Sequence, residues 1–585
     1  MARSISKNAQ GGAQAAAAVV ALGISRFKRL DALCGVFVVF SLVAAGFLMS
    51  SSSPGDVFLP VLGSNLLTGS KLRVEEAEIW EPESVDHVYI QDVVALPEEV
   101  LLLIKTPASS DFLRQRQSLG CVVGDGTLVS VQGMDMDNRR LAVRCNFSSS
   151  SQVKIGASGG VVSLTDVDSG RALVSSPQVE AFQWDFLVFE AVVTPLDVLV
   201  FAKGIVTKRG QQRRVKDLNC VFGDGAAITK VTSAAQEVFR CAHPPLSSWR
   251  AIAGKKVTLS VDKALMPSVA YYEQGLGVWK AEMEVTRKYF LCSCTMVFNV
   301  AKFLKEWVIF HSKLGVERFF FYDNNSEDNV TAVLEDLKQY NVSRHFWPWV
   351  KSQEAGFSHC ALRAEAECTW MVYADVDEFI YPTAWIKKNS RPLTALVQSM
   401  SSSERAQKKV FGLWRPWQSN KMITVGQIFL GCRVFGPSGQ QTHPVTGVTQ
   451  GYTCRTRKLQ RHKSIVLLGA LDPSLLNVVH HFQLRPGYAN ASVPSSKGVI
   501  NHYKYQAWDE FRGKFRRRVS AYVSDWKQKK NLDSNDRTPG LGTQEVEPVN
   551  WKHKFCEVND TSLRDYVLRE FSQRGRRGVR QMAWQ

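Results

Sequence analysis

The sequence predicts an α/β domain on a Rossmann-like parallel sheet, preceded by an all-β, sandwich-like domain and an N-terminal transmembrane helix. Three observations carry this. From residue 286 onward, apolar strand-like runs alternate with helical periodicity, the pattern of a parallel sheet with crossover helices. From 86 to 285, short apolar runs are broken by Gly, Asp, Ser and Pro, the spacing of an all-β unit. Residues 33–49 form an uncharged apolar run, close to the ~17–25 residues that cross a bilayer.

The N-terminal run sets the expected compartment. Arg26, Lys28 and Arg29 precede it and serines 50–53 follow. The positive flank belongs in the cytosol, which places the remainder in a lumen. A cleaved signal peptide is the rival, but the run starts at residue 33 and is long for a signal core. Residues 1–29 then read as a cytosolic tail, 30–50 as the anchor and 51–85 as a stem. Eleven of the twelve cysteines lie after the anchor, consistent with an oxidising compartment. Six N-x-Ser/Thr sequons, at Asn146, Asn324, Asn329, Asn341, Asn490 and Asn559, agree. The net charge of +18 favours a polyanionic partner, and a lumenal position sets nucleic acid aside.

The β-rich stretch 86–285 carries an internal repeat. Cys121-Val-Val-Gly-Asp-Gly leads to Arg144-Cys145, and Cys220-Val-Phe-Gly-Asp-Gly leads to Arg240-Cys241. Gly-Asp-Gly suits a tight turn, because glycine accepts positive φ and Asp bonds the nearby backbone. Bridges Cys121–Cys145 and Cys220–Cys241 are expected, stapling strands on either side of each turn, although spacing alone does not determine connectivity. The plain reading of this stretch is structural; the sharper one is a sugar-binding module.

In the C-terminal part, Tyr289–Val297 is strand-like, and Val300, Phe303, Leu304, Trp307, Phe310 and Leu314 recur at helical spacing before Gly315. A strand follows and ends at Asp323. Ser326 opens a further helix with Val330, Leu334 and Leu337 on its apolar face. After a helix over 352–367, strand 370–374 ends at Asp375. Ligands of such sheets bind beyond the carboxyl ends of the strands, where Asp323 and Asp375 both lie. The segment Trp370-Met-Val-Tyr-Ala-Asp375-Val-Asp377-Glu-Phe379 ends a buried strand in carboxylates. On an extended chain, residues i and i+2 share a face, so Asp375 and Asp377 converge. Two such carboxylates repel unless a cation or a proton lies between them. Oxygen ligands favour Mn²⁺ or Mg²⁺, which would neutralise a diphosphate leaving group. The plain alternative is a surface turn.

Four stretches resemble glycosyltransferase family 92, and within it the plant galactan synthases. They are N-V-A-K-F-L-K-E-W-V-I-F-H-S-K-L-G at 299–315, F-F-Y-D-N-N-S at 320–326, Y-A-D-V-D-E-F at 373–379 and N-H-Y-K-Y at 501–505. The resemblance implies a GT-A fold over 286–585, inversion at the anomeric carbon and a Mn²⁺ cofactor. It implies UDP-galactose as donor and β-1,4-galactan side chains of pectin (rhamnogalacturonan I) as acceptor, at the Golgi membrane in type II orientation. The β-region resembles the carbohydrate-binding module of those enzymes. Asp377 is then the expected metal ligand. Asp375 is expected at the ribose or on the metal through water, and His502 resembles the late histidine that completes the metal site. Asp323 is expected at the uridine.

Further assignments compete with plain readings. Arg455 and Lys463 are placed at the diphosphate, against a solvated basic surface. His480 or His481 is placed along the pocket, against a core role. Trp414 and Trp417 are placed as an acceptor platform, against core packing. Glu378 and Asp472 are the two carboxylates considered for the base. Trp508, Phe511, Phe515, Val519, Tyr522 and Trp526 repeat at helical spacing within a basic stretch, read as one buried and one solvated face or as a wall along an acidic glycan. Paired aspartates also occur in metal-dependent phosphodiesterases, which need further Asp/His clusters for a second metal. The chain is also compatible with a non-catalytic lumenal glycan-binding protein or a transferase of another UDP-sugar, and with a homodimer.

Overall fold

The stretch read as one β-unit consists of two separate sheets, antiparallel throughout except where Phe182–Gln183 joins Tyr89–Ala95 in parallel. In this computed structural model, the described residues run from 88 to 585, apart from internal stretches of which 147–162, 274–286, 403–423 and 514–545 are the longest. The expected anchor, the stem and most of the aromatic stripe beyond Phe511 lie outside the described residues. Among the described residues, no helix is long and apolar enough to cross a membrane.

The first sheet contains β1 (Tyr89–Ala95), β2 (Glu99–Lys105), β3 (Leu119–Val122), β4 (Leu128–Asp137), β5 (Arg140–Asn146), β6 (Ser163–Asp166), β7 (Ala172–Ser175) and β8 (Phe182–Gln183). The second contains β9 (Leu187–Val193), β10 (Val198–Lys203), β11 (Leu218–Phe222), β12 (Ala227–Ala235), β13 (Val238–Cys241), β14 (Val257–Val261) and β15 (Ala264–Leu265). Their orders are β7-β6-β3-β4-β5-β2-β1-β8 and β15-β14-β11-β12-β13-β10-β9. Seven strands of the first sheet therefore recur in the same order in the second. Even the irregularities match, because the β4–β5 register slips between Val131 and Gly133 and the β12–β13 register between Val231 and Ser233. Such bulges bend a strand and let each sheet curl over its own apolar core. Cys121 pairs with Cys145 and Cys220 with Cys241. Between β11 and β12, Gly223, Asp224 and Gly225 all take positive φ, which is why this turn is written Gly-Asp-Gly.

The third sheet has nine strands. Its first part is built from β16 (Tyr289–Val297), α1 (Ala301–Leu314), β17 (Arg318–Asp323), α2 (Val330–Glu335), β18 (Val342–Phe346), α3 (Gln353–Ala364) and β19 (Cys368–Tyr373). Later in the chain come β20 (Glu378–Tyr381), α4 (Pro392–Ser401), β21 (Thr424–Val434), β22 (Cys454–Arg455), β23 (His462–Leu467), β24 (Asn477–Val478), β25 (His481–Phe482), β26 (Tyr488–Ser492), β27 (Val499–His502), β28 (Val558–Asn559) and α5 (Ser562–Phe571), with β22–β28 and β24–β25 forming separate two-stranded pairs outside this sheet. Strands β18, β17, β16 and β19 are parallel neighbours in that order. Antiparallel β23 and β21 continue the sheet, then β27 and β20, with β26 beside β21. Helix α1 stops at Gly315 with φ of 114°. The helix expected to open at Ser326 begins at Val330 instead, and Ser326 lies in the loop before it, with its N–H donating to Asp323 Oδ1 at 2.9 Å.

Neither small sheet hangs free. Leu101 and Leu103 of β2, with Leu199 and Phe201 of β10, join one buried cluster with Trp347, Trp349, Phe357 and Cys360. These four are matched positions, since Val100 pairs with Cys145 as Val198 pairs with Cys241. Trp184 stacks on Trp349 with ring centroids 5.5 Å apart. Disulfides Cys292–Cys368, Cys294–Cys360 and Cys454–Cys556, which the repeat did not indicate, tie β16 to β19, β16 to α3 and β22 to the segment before β28. Cys432 is free and buried.

Candidate functional site

Strand β19 is apolar on both faces, as a strand inside a parallel sheet must be, and its chain emerges at Asp375. There it turns rather than continuing extended. Glu378 N–H donates to Asp375 O at 3.0 Å, and Asp375 N–H donates to the Glu378 carboxylate at 3.0 Å. Asp375 and Asp377 would share a face only on an extended chain, and this turn sends them to different partners. Asp377 and Glu378 meet His502, which lies opposite Glu378 in the antiparallel pairing of β20 with β27. One ligand atom from each of the three lies within 4.8 Å of the others. Trp307 of α1 fixes the turn from behind, donating its indole N–H to Glu378 O at 2.9 Å.

Asp375 faces Lys463 of β23. The ammonium lies 2.8 Å from Asp375 Oδ2 and 3.0 Å from Glu378 Oε1, and it also donates to His480 Nε2. Burial opposes the charge on Lys463, but Asp375 and Glu378 outweigh it and raise its pKa above the ordinary lysine value. Because an ammonium has no acceptor, His480 Nε2 must be the acceptor and its ring is neutral. Burial, then the Lys463 charge, lowers the His480 pKa well below the usual histidine value.

The donor set fits a divalent cation. His502 Nε2 lies 3.2 Å from Asp377 Oδ2, and its Nδ1 lies 3.4 Å from Glu378 Oε1. A neutral imidazole carries one N–H, so one nitrogen would face a carboxylate lone pair to lone pair unless a proton or a cation intervenes. Formal charges agree. Three carboxylates and one lysine leave two negative charges, which a divalent ion balances. Two oxygens and one imidazole nitrogen suit Mn²⁺. The residues that would hold it are Asp377, Glu378 and His502, with Asp375 committed to Lys463.

Several expected residues stand elsewhere. Asp323 is 1% exposed, with Oδ1 accepting from Ser326 and Oδ2 paired with Arg344 at 2.7 Å; it holds a loop and does not present itself to a base. Lys463 donates to Asp375 and His480 and lies 3.0 Å from Glu378 Oε1, so its ammonium is held among these three groups and not on a solvated basic surface. Arg455 pairs with Asp560 at 2.5 Å, joining β22 to the segment before α5. Asp472 caps a turn through Ser474 at 2.6 Å, beside Arg240 of the second sheet. Glu378 is 0% exposed and faces Lys463 and His502, so it cannot meet an acceptor hydroxyl. His481 packs on His462 and Phe429. Trp414 and Trp417 lie outside the described residues. A cleft of ≈ 500 Å³ opens at the carboxyl ends of β16 and β17, lined by Asn299, Ala301, Lys302, Glu327, Asp328 and Asn329. Sequence reasoning missed the parts played by Lys463 and Arg344. Two adjacent buried carboxylates demand a cation, but nothing local says which lysine supplies it. Among the sequons, Asn324 has its amide nitrogen committed to Trp347 O at 2.6 Å and Trp349 O at 3.3 Å.

The geometry defines an α/β protein with a carboxylate–histidine centre at the end of a parallel sheet. Residues 287–538 match the family model Glycosyltransferase family 92. Curated relatives carrying that family's name are similar over most of their length. One from Ricinus communis is 38% identical over 515 residues, covering 83% of each chain. One from Arabidopsis thaliana is 39% identical over 506 residues, again covering 83% of each. One from Oryza sativa subsp. japonica is 35% identical over 575 residues, covering 92% of this chain and 91% of its own. The chain belongs to glycosyltransferase family 92, and its class is that of a glycosyltransferase.

Proposed function

We propose that this chain moves galactose from UDP-galactose onto β-1,4-galactan side chains of pectin, with inversion, using Mn²⁺ (or Mg²⁺) and a GT-A-type domain. In this reading the protein sits in the Golgi membrane, anchored by residues 33–49 with its catalytic part in the lumen. The observation that carries the chemistry is the Asp377–Glu378–His502 cluster at the end of β19. A divalent ion held there would neutralise the leaving diphosphate. Asp377 and Glu378 supply oxygen ligands and His502 the nitrogen. Lys463 offsets the charge of Asp375 and Glu378, so that buried Asp377 and Glu378 and half-buried Asp375 can coexist. Trp307 and the Asp375–Glu378 turn hold the ligands in place before substrate arrives. The donor sugar and the acceptor rest on the resemblance of the four quoted stretches.

Purified lumenal protein incubated with UDP-galactose, Mn²⁺ and a galactan oligosaccharide should lengthen the oligosaccharide. Asp377→Asn should lower turnover by about 100-fold or more, since even outer-shell partners of a metal cost ~10–100-fold. Transfer from a different UDP-sugar would overturn the donor assignment. Full activity in excess chelator would overturn the metal.

A further inference from the structure

We propose that the first β-sheet is a positioning element for the nucleotide end of the site, acting through Asp135 and Glu99. This rests on the nucleotide-sugar reading above. Two polar ties leave that sheet and end on one loop. Arg344 of β18 pairs with Asp323 at 2.7 Å and also with Asp135 of β4. Glu99, at the start of β2, accepts from Asn325 Nδ2 at 3.1 Å and is itself paired with Arg144 at 3.2 Å. Asp323 and Asn325 begin the loop between β17 and α2.

That loop shapes the cleft. Asn325 takes φ of 67°, a left-handed conformation in which Asn is several-fold enriched among non-glycine residues. Beyond it, Ser326 Oγ accepts from Asn299 N–H at 3.0 Å, Glu327 N–H donates to Asn299 Oδ1 at 2.7 Å, and Asp328 accepts from Ala301 N–H at 2.8 Å. Asn299, Ala301, Glu327 and Asp328 are cleft-lining residues. A displacement of Asp323 or Asn325 is therefore passed to the cleft wall by direct hydrogen bonds. The cleft lies over β16 and β17, and β16 is the sheet neighbour of β19, whose end carries Asp375. Among the described residues, hydrogen bonds from the second sheet and the loop beside it run to Lys351 O, Pro473 O, Ser474 and Gln483.

Neutralising Asp135 leaves Arg344 paired with the buried Asp323, so the fold is retained while the guanidinium loses one of its two anchors. The test is titration of uridine diphosphate, with Mn²⁺ present, into wild type, Asp135→Asn and Asp135→Glu. KM for donor and acceptor, thermal unfolding and hydrogen exchange of residues 323–329 are measured alongside. Asp135→Asn should weaken uridine diphosphate about tenfold, a modest share of the ~100-fold that a 1 Å misplacement can cost. Donor KM should rise to match, acceptor KM should stay within about twofold, exchange in 323–329 should quicken, and Asp135→Glu should recover most of the affinity. Equal nucleotide affinity and exchange in Asp135→Asn would overturn the inference. So would equal rises in donor and acceptor KM with a broad loss of thermal stability, which marks a merely structural residue. Wild type that binds no uridine diphosphate would overturn the nucleotide reading itself.

Discussion

The two small sheets share a strand order, a bulge and a disulfide, yet meet the large sheet differently. Both present the same face of the matched strands, Leu101 and Leu103 on one and Leu199 and Phe201 on the other, to a common buried cluster. Their polar edges then diverge. The first reaches Arg344 and Asn325, beside the carboxyl end of β17. The second reaches Lys351, Pro473 and Ser474. Apolar docking is non-directional and scales with area, so it survives duplication of a unit. Polar ties depend on single residues and can be reassigned one at a time. The β-region is thus joined through a shared core to the part of the chain that matches the family model.

The largest expected effects test that shared core. Phe201 is fully buried with its ring 5.6 Å from His359 and 6.3 Å from Trp347. Phe201→Ala should cost about 3–5 kcal/mol and Leu103→Ala about 2–5 kcal/mol, read by urea unfolding of the whole chain. If either variant melts its own sheet while the large sheet unfolds as in wild type, the shared core is not a unit.

The disulfides come next. Their sequence separations are 24 and 21 residues, so loop closure predicts similar losses of about 3 kcal/mol for Cys121→Ser with Cys145→Ser and for Cys220→Ser with Cys241→Ser. Markedly unequal losses would break the equivalence of the two units.

A smaller effect is expected at Arg240, which holds Asp197 at 2.6 Å and also bonds Pro473 O. Arg240→Gln should cost about 1.5–3 kcal/mol, as for other charge-assisted bonds, while nucleotide affinity stays unchanged. Loss of nucleotide affinity there would erase the contrast with Asp135.

The smallest concerns glycan binding. Tyr89 and Phe186 are each 43% exposed, whereas Trp184 is packed on Trp349. Tyr89→Ser and Phe186→Ser should each change stability by less than about 0.5 kcal/mol. If the sheets bind galactan by stacking on these rings, affinity in a pull-down should fall at constant melting temperature. Unchanged affinity in the double variant would leave the sheets without an aromatic platform among the described residues.

Local chemistry was legible in the sequence. Alternating periodicities marked the strands and helices from 289 to 373, and the repeated Cys and Gly-Asp-Gly spacings marked two like units. An apolar strand ending in Asp375 and Asp377 marked the candidate centre. Those features depend on neighbours a few residues apart, and backbone sterics and side-chain alternation read them directly. What the chain does at each carboxylate depended on contacts between distant residues. Lys463 comes 88 residues after Asp375, and Asp135 precedes Arg344 by 209. The turn at residues 375–378 replaced the extended geometry that would have aimed Asp375 and Asp377 together. Only the folded sheet brought His502 opposite Glu378, gave Asp375 to a lysine and buried Asp323 against an arginine. Charge pairing in a low-dielectric interior is decided by which ions the fold brings within a few ångströms, and local sequence does not carry that information.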